Sequence, residues 1–345
     1  MKKGPWLVAL LVVGIWLLLP SRGRAAETGL KVTPIQAASQ RDKTEAFFDL
    51  VLQPGRSETL DVQLQNVTAH NQVVDVAVLP ASTSDDGRVQ YRNEVKFDPS
   101  LRDNLKDMVE APNRITVPAG KTILYHAKIT MPKRTLPGMV AGAMIFTPEK
   151  TNDATTTNMG VTNNFQYSVG ILARNENRSW QPNLSTAGVS SKQQANMTSI
   201  AVRFRNTTAT FLNQLTVETT VSKAGKTYSR NQSDMQMAPN STFDYSVPLD
   251  AKPVAGRYDV TATAYYVKDN TGRYQDVKGH HYRFRKTTVT SVELRNQNRR
   301  SPRERRTIAK NNLPISITIG LSMIAVLMVI ILVLISLVMK GRRKI

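Results

Sequence analysis

Catalysis or metal binding in this chain would have to be assembled from very little. Cysteine is absent and only four histidines occur among 345 residues. Thiol catalysis, disulfide scaffolds, zinc ribbons and iron–sulfur ligation are therefore excluded, and sites built on several imidazoles have almost nothing to draw on. His280 and His281 are adjacent, and neighbours on an extended chain point to opposite faces, so they cannot share a metal. His126 falls in an alternating stretch and His70 in a polar turn. Asp85-Asp86-Gly87 and Asp269-Asn270-Thr271-Gly272 begin like calcium loops, but neither continues with oxygen ligands and a distal Glu. Both read as turns. There is no Gly-x-x-x-x-Gly-Lys cradle, Gly-x-Ser-x-Gly elbow, Ser-x-x-Lys pair or His-Glu-x-x-His helix. The expectation is a protein that is not an enzyme, with no catalytic residue, cofactor or metal ligand to name. What remains is binding chemistry. Arg299, Arg300, Arg303, Arg305 and Arg306, flanked by Arg295 and Lys310, form a dense row of guanidinium groups, whose fork suits phosphate. The row reads either as a solvated spacer or as a contact to anionic lipid headgroups or wall phosphates.

The formal charge of +20 suggests nucleic acid until its placement is examined. Residues 1–25, 286–310 and 340–345 supply +14 of it, whereas residues 26–150 balance. A nucleic-acid surface concentrates charge on a folded face, so nucleic acid is not an expected partner. The charged flanks border apolar runs instead. Lys2 and Lys3 precede an uncharged run from Trp6 to Leu19, broken by Pro20, and Gly23-Arg24-Ala25 fits a small-x-small cleavage site. Cleavage after Ala25 is expected, with Ala26 the alternative. From Ile315 to Met339 no charge occurs, and a helix of that length, about 37 Å, spans a bilayer with some tilt. Lys340-Gly341-Arg342-Arg343-Lys344 follows as a stop signal. The expected localisation is the cell membrane, single-pass, with the ectodomain on the outer surface and the basic stalk, 291–314, between them.

Between these ends the pattern is strand-like. Leu60-Asp61-Val62-Gln63-Leu64-Gln65 and Val74-Asp75-Val76-Ala77-Val78 alternate with period two. Leu30–Thr33, Phe47–Leu52, Ile115–Val117, Ile123–Met131, Met139–Phe146 and Phe165–Leu172 extend the series. Gln53-Pro54-Gly55, Pro118-Ala119-Gly120 and Leu136-Pro137-Gly138 supply turns. A second series runs through Ser199–Phe204, Leu215–Val221, Phe243–Val247, Tyr258–Val267, Tyr274–Val277 and Tyr282–Thr288. Short strands with Gly/Pro punctuation predict a mainly β fold: two tandem immunoglobulin-like antiparallel β-sandwiches, 26–175 and 180–290, plus one C-terminal transmembrane helix. Ser100 with Asp103 suggests a capping box that opens one short helix through Met108. Thr151–Asn164 is either a long hairpin loop or an interdomain linker, and Tyr258 has the setting of a tyrosine corner. Seven Asn-x-Ser/Thr sequons occur, including those at Asn66 and Asn206.

Several of these segments together resemble the WxL-interacting protein family of Gram-positive surface proteins. In the first half the resemblance rests on Val32-Thr33-Pro34, Phe47-Phe48-Asp49-Leu50 with Gln53-Pro54-Gly55, Asn66, and Ala81-Ser82-Thr83-Ser84-Asp85-Asp86-Gly87 ahead of Tyr91. In the second it rests on Ala238-Pro239-Asn240-Ser241-Thr242-Phe243 and Ala255-Gly256-Arg257-Tyr258. The resemblance implies a peptidoglycan-binding domain, whose family end falls near residue 150, then a host-binding domain and a membrane anchor. The implied partners are WxL-domain surface proteins, peptidoglycan and a host extracellular ligand. Where members often pair glycines late in the first domain, this chain has Gly138 and then Ala141-Gly142-Ala143, which weakens any inference of close backbone approach there. The other readings are a chaperone-like or adhesive sandwich acting by strand addition, and a cell-wall enzyme whose carboxylates meet only in the fold.

Overall fold

A computed structural model describes residues 29–93, 96–149, 165–194 and 197–295. In the first half these form β1 (Leu30–Pro34), β2 (Phe48–Val51), β3 (Ser57–Asn66), β4 (Gln72–Thr83), β5 (Val89–Tyr91), helix α1 (Leu105–Met108), β6 (Val109–Glu110), β7 (Arg114–Val117), β8 (Thr122–Thr130), β9 (Met139–Pro148) and β10 (Tyr167–Arg174). One sheet has the order β1-β3-β8-β6. The other runs β2-β10-β9-β4-β5, with β7 also on β4. Leu60, Val62 and Leu64 point inward from β3, as the alternation requires, and meet Val74, Met144, Phe146 and Ile171 of the opposite sheet in one core. Each such side chain contributes roughly 1.5–3 kcal/mol on burial. The Tyr125 ring packs edge-on against Phe146 at 5.3 Å, and its hydroxyl donates to the Pro112 carbonyl. β10 pairs antiparallel with β9 and parallel with β2, Ile171 opposite Phe48.

The second half contains β11 (Leu184–Gln194), β12 (Met197–Asn206), β13 (Leu212–Lys223), β14 (Lys226–Met237), β15 (Ser241–Pro248), β16 (Gly256–Lys268), β17 (Tyr274–Gln275) and β18 (His281–Leu294). Its sheets are β11-β12-β15 and β14-β13-β16-β18-β17. Phe204 stacks on Phe243 with centroids 5.7 Å apart, and Tyr245, Val217, Val260 and Tyr282 are buried with them. Lys223 and Lys226 close the β13–β14 hairpin around Ala224 and Gly225, both at positive φ (48° and 82°), the geometry of a type I′ turn. Tyr258 is buried, and the Lys223 ammonium lies 4.9 Å from its ring centroid.

The helix begins later than the capping box at Ser100 suggests. Its N-cap is Asn104, whose side chain accepts from the Lys106 N–H. Asp98 Oδ1 accepts from the Ser100 N–H instead, which turns the chain before the helix, and Asp103 pairs with Arg134. Leu105 and Met108 enter the core. Leu105 seats against Gly142, where a Cβ would lie 2.4 Å from its Cδ2. Close approach does occur on this strand.

One device recurs in both halves. Asn66, at the end of β3, donates through Nδ2 to the His70 and Val117 carbonyls at 2.7 and 3.0 Å, while Oδ1 accepts from the Thr68 N–H and hydroxyl. Asn206, at the end of β12, repeats this with Thr210, Ala238 and Thr208. Both asparagines are buried. These two sequons are turn locks: a buried amide ties the end of its strand to two carbonyls and to the threonine two residues on.

Candidate functional site

Both pairs of sheets belong to one compact unit; Val254–Gly256, Leu294 and Arg295 are the described residues of a second. Within the first unit, the segments that carry the family resemblance face each other. Thr83, at the end of β4, donates to Ser241, Ser241 donates to the Ala238 carbonyl, and the Ala238 N–H returns to Thr83. This closed ring of three hydrogen bonds is buried, where each is worth keeping because a lost partner strands a buried polar atom. Asp85 accepts from the Asp244 N–H and from Lys192, and Lys192 also reaches Asp244 at 2.8 Å. Gln232 and the Gln236 N–H donate to the carbonyls of Asp86 and Gly87. Asp98 takes a bidentate fork from Arg205, both contacts at 2.7 Å. Burial pushes the Asp98 carboxyl up, but Arg205 and the Ser100 hydrogen bonds prevail and hold it below the ordinary carboxylate range. Arg203 and Lys192 likewise hold Asp244 low, with Arg203 first and against burial.

The backbones also meet. Met139 N–H donates to the Ala209 carbonyl at 2.8 Å. A Cβ on Gly138 would lie 2.2 Å from that oxygen, so only glycine fits. Ala81, Ala141 and Ala238 form a small apolar seam, with Val89, Tyr91, Leu172 and Phe211 packed on it. Small side chains here let the sheets close. Asp85 therefore docks the halves through its carboxylate, and Asp86 and Gly87 through their backbone carbonyls.

Beside this seam the chain leaves two hollows, of about 420 and 580 Å³, that share Met139 and Trp180. The larger is lined by Arg41, Arg174 and Arg178, by Trp180 and Phe211, and by Asn177, Asn213 and Gln214. Its floor is built on Asp49 of β2, 1% exposed, which accepts from Arg41 Nε at 2.6 Å and from Arg174. Arg174, at the end of β10, is itself 5% exposed. Burial lowers its pKa and Asp49 opposes that, while neighbouring Arg41 adds to the lowering. Arg178 pairs with Glu176 at 3.0 Å and lies 5.3 Å over the Trp180 ring. Two buried donors, Arg174 Nε and Trp180 Nε1, find no partner among the described residues. Each such orphan costs about 1–3 kcal/mol. Two lining residues, Gln214 and Val267, hold φ of 53° and 58°, a conformation that is a genuine outlier for a β-branched side chain.

No local pattern in the sequence points to this hollow. Arg41, Arg174 and Trp180 lie far apart in the chain, and only the β2–β10 pairing brings the first two together. The only available signal was an acid, Asp49, inside an apolar strand. Other expected site residues, Ala25, Ile315, Met339 and the Arg299–Arg306 row, lie outside the described residues. So does 151–164. Among the described residues no helix is long and apolar enough to cross a membrane, and no group of three His, Asp or Glu side chains is placed to hold a metal. His280 contacts Asp276 at 3.0 Å, and His281 contacts the Gly272 carbonyl at 2.8 Å.

Comparison with known proteins gives two family matches, end to end. The WxL Interacting Protein peptidoglycan binding domain matches residues 30–148, and the WxL Interacting Protein host binding domain matches residues 156–299. β10 falls in the second match yet completes a sheet of the first half. No curated protein matches. Similar solved structures include the Class 5 fimbriae chaperone CfaA, at 12% identity over 72% of this chain and 96% of that one, TM-score 0.29. The E. coli chaperone DraB matches at 11% identity over 77% and 99%, TM-score 0.28.

Proposed function

Since the chain belongs to the WxL Interacting Protein family, we propose that it is a non-enzymatic binding protein of the cell surface. Its first sandwich engages peptidoglycan or WxL-domain surface proteins, and its second a host ligand. The observation that carries this reading is the pair of matched binding domains, locked to each other through Thr83, Asp85, Asp98, Ala238 and Asp244. Two partners would thus be held on one frame at a set angle. Residues 30–148 contain no tryptophan, and sugar rings commonly stack on such a platform, so weight shifts within the proposal from glycan toward a protein partner. The frame is immunoglobulin-like, and Ile315–Met339 forms its single membrane span, with the ectodomain outside and the Arg299–Arg306 row lying on anionic headgroups or wall phosphates.

The test uses the full chain in detergent, offered purified cell walls and, separately, purified WxL-domain proteins. Saturable capture by either supports the reading, and capture by neither removes it. Protease added to intact cells tests the topology: an ectodomain cut only after lysis would reverse the orientation.

A further inference from the structure

We infer that the hollow between the two halves is a receptor for the terminal carboxylate of a peptide, with Arg41, Arg174 and Arg178 as its cationic wall and Trp180 as its apolar platform. The inference goes beyond the reading above and does not depend on which partner the first sandwich engages.

Charge comes first. Among the described residues three guanidinium groups line the hollow and no acidic side chain does. Asp49 beneath the floor and Glu176 beside Arg178 answer two of them, leaving one positive charge over. An uncompensated cation in a concave, partly dehydrated site attracts an anion more strongly than one on open surface. Preorganisation comes second. Asp49 clamps Arg41 and Arg174 side by side, so an arriving anion meets a fixed fork and not two mobile side chains. Its own carboxylate is almost wholly buried and stays below.

The orphaned donors come third. Arg174 and Trp180 both line the hollow, and their buried Nε and Nε1 lack acceptors among the described residues. Two buried N–H groups unmet at one place call for an acceptor other than the described protein groups. The fourth observation is strain. Gln214 and Val267, also in the lining, hold left-handed backbone, and such outliers gather where a site's shape is imposed at a cost. Gln214 sits in the irregular stretch of β13 between Leu212 and Leu215. The amides of Asn177, Asn213 and Gln214 then offer hydrogen bonds to a peptide backbone next to the carboxylate, and Trp180 with Phe211 offers cover for the last side chain. Cation, amides and aromatic face together describe a peptide end better than a bare inorganic anion.

A terminal carboxylate reaches such a site from two sources, a secreted protein with an L-residue end or a wall stem peptide with a D-residue end. The experiment uses the full chain in detergent micelles, labelled with 5-fluorotryptophan, with the Trp180 resonance assigned by Trp180→Phe. The probes are acetyl-Gly-Ala-Ala with a free carboxylate, the same peptide amidated, and acetyl-Gly-D-Ala-D-Ala. The free acid should shift the Trp180 signal saturably, and amidation should weaken binding by about tenfold or more, the worth of one charge-assisted hydrogen bond. Arg41→Gln and Arg178→Gln should each cost about tenfold, while Arg257→Gln, outside the hollow, should change nothing. Arg174→Gln is avoided because it strips Asp49 of its buried partner. Preference for the D-ended or the L-ended acid assigns the source. If acid and amide bind alike, or no saturable shift appears at millimolar peptide, the inference is overturned.

Discussion

Replacing Arg205 with methionine should loosen the junction between the halves by an amount the geometry allows one to bound. Asp98 is nearly inaccessible to water and accepts two hydrogen bonds from Arg205 and one from the Ser100 N–H. Without the guanidinium, a buried carboxylate keeps its Ser100 contact and little else. Breaking a buried pair from one side costs about 3–5 kcal/mol. The Arg205 side chain is partly exposed, so water can replace some of what is lost, and about 2–3 kcal/mol is expected. At 2–4 °C per kcal/mol for a unit of this size, the midpoint should fall by about 4–12 °C. The pH dependence gives a second check. The folded-state pKa of Asp98 is lowered, so the folded protein binds its proton less readily than the unfolded chain. The pair's contribution is complete above the unfolded value of about 3.9 and disappears as pH falls through the lower folded value. Urea unfolding of wild type and Arg205→Met should therefore differ fully at pH 7 and converge below pH 4. An Asp98→Asn, Arg205→Met double variant should lose less than the two single losses combined. A gap under about 0.5 kcal/mol at pH 7, within the range of an ordinary surface change, would refute this, as would a gap unchanged at the acid end.

Other outcomes follow from the same contacts. Gly138→Val drives a branched side chain into the Ala209 carbonyl; it should destabilise the chain by about 2 kcal/mol or more and speed hydrogen exchange at the Met139 amide, and unchanged exchange would contradict the close approach. Asn66→Ala and Asn206→Ala should each cost about 1–3 kcal/mol, since each removes two hydrogen bonds to carbonyls, of which those of His70 and Ala238 keep a second donor, measured by thermal unfolding. Burial pushes Tyr125, Tyr245 and Tyr282 up to about 12, so absorbance titration should leave these three protonated at pH 11. With the folded values raised, their stabilising effect is complete below the unfolded value of about 10 and is lost as pH climbs toward 12.

The sequence showed the inner strands plainly and the outer ones poorly. β3, β4, β8, β12 and β16 bury one face, so apolar residues recur at every second position and the period declares itself. β11 and β14 show no such period. LSTAGVSSKQQ and KTYSRNQSDMQM run along sheet edges, where polar residues suit a strand with solvent on one side. β5 and β6 are too short to show a period. Ser100 and Asp103 have capping-box spacing, yet Asp98 and Arg134 claim them and leave the cap to Asn104. Asp85, Asp86 and Ala238–Ser241 were visible as motifs, but their facing each other was not, since nothing local marks a contact across 150 residues. The hollow was the least legible. It depends on β10 returning beside β2, and no spacing in the chain encodes that.

That return also has a temporal side. β2 ends at Val51, and its parallel partner β10 begins only at Tyr167. A chain made from its N-terminus carries β2 for more than a hundred residues before the strand that joins it to β9 exists. Thr83 waits longer still, for Ala238 and Ser241. Early segments therefore pass through a stage with unmet edges, and their closure must search over long loops. High contact order of this kind slows folding and lengthens exposure to wrong pairing. The polar edges and buried asparagine locks limit that hazard from within, by making the premature stages soluble and the turns definite before the last strand arrives.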